Sequence, residues 1–114
     1  MINGIFILDK EGGMTSQTAV RRVQRLLGAD KAGHTGTLDP MATGVLPILL
    51  GRAIKASEYL LTGNKHYTAT LLLGLSTDTE DVTGAPLATS DSIPDEEAVM
   101  SALAAFRGEI MQTP

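Results

Sequence analysis

The segment Gly33-His-Thr-Gly-Thr-Leu-Asp-Pro-Met-Ala-Thr-Gly44 constrains this chain more than any other. It sets one acid, Asp39, among three glycines, three threonines, one histidine and one proline. Glycine loses the most backbone freedom on ordering, and Pro40 has no N–H to donate, so neither a helix nor a strand runs easily through it. An ordered loop that presents one carboxylate beside small hydroxyl groups is expected. The apolar residues 45–50 follow directly and tie the loop to a core. Pro47 within them argues for an edge or irregular stretch rather than a central strand.

The flanking sequence alternates short strands and helices. Residues 4–8, Gly-Ile-Phe-Ile-Leu, suit a buried strand that ends at Asp9-Lys10, and Gly12-Gly13 marks a turn. Thr15 or Ser16 caps a helix whose apolar positions Val20, Val23, Leu26 and Leu27 share a face, with Gly28 as its stop. Residues 29–32 lead into the loop as a connector or short strand. Residues 53–61 read as a short helix presenting Lys55 and Tyr59, closed by Gly63. Tyr67, Thr68 and Thr70 favour a strand over residues 67–73, and residues 76–84 form an acidic turn. Residues 95–107 suit an amphipathic helix, with acids at its N-terminus and Gly108 past its end; residues 109–112 begin another strand.

Composition narrows the class. With 43% apolar and 19% charged residues, the 114-residue chain has ordinary globular chemistry. It has no cysteine, which removes disulfides and thiolate catalysis. Neither a membrane-spanning apolar run nor a signal-peptide pattern is present, so a cytoplasmic location is the default. The net charge of −4 is uneven. Residues 1–67 hold eight Lys/Arg against five acids, whereas residues 68–114 hold Arg107 against eight acids. A basic first half is compatible with phosphate contact despite the acidic total.

Asp39 alone reads in two ways. A loop aspartate before proline commonly bonds its own backbone. An ionised carboxylate among glycines and threonines also serves as a nucleophile or base for a molecule that must come close. A two-carboxylate glycosidase needs a second acid, for which Asp78, Glu80 and Asp81 are the available candidates. Lys10, Lys55 and Lys65 read as solvated charges, and His34 as a local hydrogen-bonding residue.

Taken together, these residues resemble the N-terminal part of the bacterial tRNA pseudouridine synthase B family. The resemblance runs along nearly the whole chain. It rests on Gly4-Ile-Phe-Ile-Leu-Asp-Lys10, Met14-Thr-Ser16, the 33–47 segment, Gly51-Arg-Ala-Ile-Lys55, Lys65-His-Tyr67, residues 73–81 and Phe106-Arg-Gly-Glu-Ile110. Glu11 departs from it, standing where the family usually has proline.

The resemblance implies an α/β (α+β) fold: a mixed, mainly antiparallel sheet with flanking helices. Residues 1–114 would be the N-terminal portion of the catalytic domain. On that reading the rest of that domain and a C-terminal PUA RNA-binding domain would be absent from it. It implies isomerisation of uridine 55 in the TΨC loop of tRNA, by N1–C1′ cleavage and C5–C1′ rejoining, without a cofactor or metal. Asp39 would be the catalytic aspartate and Tyr67 the aromatic residue stacked on the base. His34 would stand near the extruded nucleotide, and Lys55 near backbone phosphate. The parent is expected to be monomeric, and the isolated segment, with an open sheet edge, to self-associate. A non-catalytic tRNA-binding or tRNA-folding module is the alternative reading.

Overall fold

A computed structural model describes residues 1–113. Its contacts form two units, Met1–His66 and Tyr67–Pro114. Among the described residues no helix is long and apolar enough to cross a membrane.

The first unit runs β1 (Gly4–Lys10), α1 (Ser16–Leu27), β2 (Ala32–His34), β3 (Gly44–Leu50), a 3-10 segment (Gly51–Ala56) and α2 (Ser57–Leu61). The strands form one antiparallel sheet in the order β1-β3-β2. The mixed α/β class with antiparallel pairing is therefore as expected. β3 alternates its side chains between the two faces. Leu46, Ile48 and Leu50 are buried with Ala19, Val20 and Val23 of α1, and Leu8, Met14 and Leu38 pack against this cluster.

α1 follows its sequence signals closely. The Thr15 side chain accepts from the Thr18 N–H at 3.1 Å, so the cap is Thr15 and not Ser16. At the other end Gly28 takes a left-handed φ of 62°, which a side chain would resist, and the chain reverses into β2. Leu26 departs from the expected buried face and is 84% exposed. At about 100° per residue it lies roughly 60° from Val23. That turns it to the rim of an open groove of about 230 Å³ that Leu8, Met14 and Arg22 also line.

Two further expectations need correction. Residues 4–8 form a strand, but not a buried one: Ile5 and Ile7 are 51% and 61% exposed. They pair with Leu49 and Pro47, on the sheet face opposite the cluster with α1. Pro47 lies in the central strand, not at an edge. Its carbonyl accepts from the Thr35 N–H at 3.2 Å, on the β2 side. In an extended strand the N–H and C=O of one residue point the same way, so the missing donor faces just past His34, where β2 ends. The β1–β3 ladder loses nothing.

The 53–61 helix is realised as the 3-10 segment followed by α2, closed by a bond from the Gly63 N–H to the Leu60 carbonyl. Lys55 and Tyr59 are exposed, as expected.

The second unit holds the antiparallel hairpin β4 (Leu75–Thr77) and β5 (Pro86–Thr89), then α3 (Glu96–Ala104). α3 is capped by Asp95, whose side chain accepts from the Ala98 N–H at 2.8 Å. It is shorter than expected and buries no residue, so its amphipathic reading is not realised. Residues 67–73 and 109–112 are not strands, contrary to expectation. β-favouring side chains need a ladder partner and a surface to pack on. Among the described residues neither segment has a paired strand, and this unit buries no apolar side chain.

The acidic 78–84 turn is instead held by its own carboxylates. Asp78 accepts from the Ala85 N–H at 2.8 Å, and Asp81 accepts from the Thr83 N–H at 2.8 Å and the Thr79 hydroxyl at 2.9 Å. Bonds from Thr83, hydroxyl first and then backbone, and from the Thr79 hydroxyl hold the Asp81 carboxyl below its ordinary value of 3.8. A depressed folded pKa means that the stabilisation is present above the unfolded value and is lost as pH falls through the folded one. The Thr83 amide resonance should therefore shift on acidification below about pH 4. Asp81→Asn should abolish that titration, and a Thr83 amide that titrates identically in the variant would refute the assignment.

Candidate functional site

The loop between β2 and β3 is fixed through its backbone. Leu38, immediately before Asp39, is bonded twice to Ser16: its N–H donates to the Ser16 hydroxyl at 2.9 Å, and its carbonyl accepts from that hydroxyl at 3.0 Å. Pro40, immediately after, presents a carbonyl that accepts from the Gly13 N–H at 2.8 Å and from Lys10 Nζ at 3.2 Å. The Ala42 N–H closes a turn on the Asp39 carbonyl at 3.0 Å. A Cβ on Gly12 would stand 3.2 Å from the Met41 carbonyl oxygen, so the β1–α1 turn and the loop lie nearly in contact there.

Lys10 is the main surprise. It was expected to be solvated, yet it is 1% exposed. Its ammonium donates to the carbonyls of Glu11 and Met14 at 2.8 Å each and to that of Pro40 at 3.2 Å. Three donors meet three acceptors, which is what a buried lysine requires. β1 thus delivers its last side chain to the Pro40 carbonyl, just after Asp39.

Asp39 itself is exposed. Among the described residues its carboxylate takes part in none of the bonds that shape the loop; the turn uses its backbone carbonyl. A carboxylate serving as a turn former would be bonded to a nearby N–H, as Asp78 and Asp81 are. The carboxylate is open to solvent.

His34 ends β2, opposite Ile48, and is half-buried. Its Nδ1 lies 3.1 Å from the Gly36 carbonyl. A carbonyl only accepts, so Nδ1 carries the proton in this bond. A Cβ on Gly36 would lie 3.5 Å from both Nζ and Cε of Lys65, so this exposed lysine reaches over the loop. Lys55 sits exposed in the 3-10 segment. Asp39, His34 and Lys55 all belong to the first unit, and no hydrogen bond joins them among the described residues. Tyr67 opens the second unit, 65% exposed and outside regular structure. Lys10 and Ser16 are the residues that sequence reasoning missed. No local signal marks them, because their partners Pro40 and Leu38 lie 30 and 22 residues away in sequence.

No group of three or more His, Asp or Glu side chains close enough to hold a metal ion occurs among the described residues.

Comparison with known proteins places these features in context. In solved structures, the chain is similar to one from an H/ACA RNP bound to a substrate RNA containing 2'-deoxyuridine. The identity is 45% and the TM-score 0.49, over 51% of this chain and 18% of that one. It is similar to another from the archaeal box H/ACA sRNP Nop10–Cbf5 complex, at 48% identity and TM-score 0.49, over 51% and 19%. Among curated sequences it is 53% identical to tRNA pseudouridine synthase B of Gluconacetobacter diazotrophicus, over 99% of this chain and 37% of that protein. It is 51% identical to that of Aromatoleum aromaticum, over 100% and 37%. The chain thus spans little more than a third of the length of these relatives. Residues 24–114 match the model of the TruB family pseudouridylate synthase N-terminal domain. Across most of its length, therefore, this chain belongs to the TruB family of pseudouridylate synthases.

Proposed function

We propose that residues 1–114 form the N-terminal portion of the catalytic domain of a cytoplasmic tRNA pseudouridine synthase that isomerises uridine 55 of the TΨC loop. Asp39 is its catalytic residue. In the reaction the N1–C1′ bond of the uridine breaks, the freed uracil turns, and a C5–C1′ bond forms. C5 loses its proton and N1 gains one, so atoms balance without a redox partner.

The observation that carries this reading is the state of Asp39: an exposed carboxylate that its own loop does not use, on a backbone anchored at both neighbouring residues. A group that must meet C1′ of a ribose needs open approach and a fixed origin. The target uridine must first leave its stack, at a cost of a few kcal/mol. Stacking on an aromatic ring returns about 1–3 kcal/mol per base, and Tyr67 is given that role. His34 faces the extruded nucleotide. Lys55 follows the backbone phosphates.

The test is tritium release from a tRNA transcript labelled at C5 of uridine, with the product mapped by nuclease digestion and mass spectrometry. Release confined to position 55, with intact RNA, is expected. Free uracil would point to a hydrolase, and binding without release to a tRNA-binding module.

A further inference from the structure

We propose that Ser16 is a positioning residue for Asp39, acting through the Leu38 peptide; the proposal rests on the catalytic role given to Asp39 above. Ser16 is the first residue of α1, where a hydroxyl ordinarily caps its own helix. Here Thr15 performs that task, and the Ser16 hydroxyl is free for another. The residue is 2% exposed, and its oxygen both donates to and accepts from Leu38, across 22 residues of sequence. One side chain therefore satisfies both backbone polar groups of the residue that precedes the catalytic carboxylate.

The anchor is rigid at both ends. Ser16 stands in the first turn of a helix whose Ala19, Val20 and Val23 lie in the core. Leu38 packs its own side chain against that core. With Pro40 held by Gly13 and Lys10, the Asp39 backbone is pinned between two fixed peptides. Its carboxylate then moves only through its side-chain torsions. Alanine at position 16 would keep the helix, since alanine is the best helix former, but would leave the Leu38 N–H and C=O unpaired. Those groups would turn toward water and carry Asp39 with them. A misplacement of about 1 Å at a reacting group can cost roughly 100-fold in rate.

The test uses the full-length synthase of which this chain is proposed to be the N-terminal portion. Tritium release is measured for Ser16→Ala, Ser16→Thr and Asp39→Asn, each normalised to folded protein. Ser16→Ala should lower kcat about 10- to 100-fold with KM little changed, and Ser16→Thr, which retains the hydroxyl, should recover most of it. In the same protein, Leu38 amide exchange should quicken at least about tenfold in Ser16→Ala while the β3 amides stay protected. Wild-type kcat in Ser16→Ala, or a loss confined to KM or to the folded fraction, would overturn the proposal. If Asp39→Asn still turns over, the catalytic reading of Asp39 fails first and takes this one with it. If Asp39→Asn is inactive and Ser16→Ala is not, only the role of Ser16 fails.

Discussion

Asp39→Asn should remove uridine isomerisation, lowering kcat by at least about 10³-fold, while the free energy of unfolding stays within about 0.5 kcal/mol of wild type. The two halves of this expectation come from the same geometry. The loop is shaped by the Ser16, Lys10 and Gly13 bonds and by the Ala42 N–H on the Asp39 carbonyl, all of which asparagine leaves in place. The carboxylate contributes to none of them. Asparagine has nearly the same shape, so the fold loses nothing, but a neutral amide is neither the base nor the nucleophile that an ionised carboxylate is. Tritium release and urea denaturation on the same preparation give both numbers. A variant that unfolds more readily and keeps its turnover would identify Asp39 as a turn residue after all.

The parts of the fold that were legible in the sequence are those governed by local chemistry. α1 is written twice over, in the Thr15 cap and in the Gly28 stop, and both are realised. Asp95 and the hairpin turn are equally local: their side chains bond backbone within a few residues. What sequence could not give is what depends on a distant partner. Pro47 is a poor central-strand residue by propensity. It occupies one because its missing N–H falls beyond the end of the shorter neighbouring strand. Residues 67–73 have every propensity for a strand and no ladder among the described residues.

The site divides the same way. The exposed loop position of Asp39 was legible because an acid in so small and polar a setting is conspicuous. Lys10 was not, because lysine is almost never fully buried unless its donors are all engaged. The carbonyl of Pro40, one of its three acceptors, lies 30 residues away in sequence.

That buried ammonium leads to the largest stability change expected in the chain. Lys10→Met should destabilise the first unit by about 1–3 kcal/mol, since a part-buried acceptor left without a partner costs up to about that much. Methionine fills a similar volume, so no large cavity adds to the loss. The carbonyls of Glu11 and Met14 lose their 2.8 Å donor, whereas that of Pro40 keeps the Gly13 N–H at 2.8 Å. Two orphaned acceptors, not three, set the magnitude. Arginine should fail to rescue: its planar fork of donors does not reproduce the three-way spread of an ammonium. Urea denaturation followed at the β3 amides measures the change in the unit that contains Lys10. A loss below about 1 kcal/mol would mean that water replaces the ammonium without penalty, and that the backbone on either side of Asp39 is held by Ser16 and Gly13 alone.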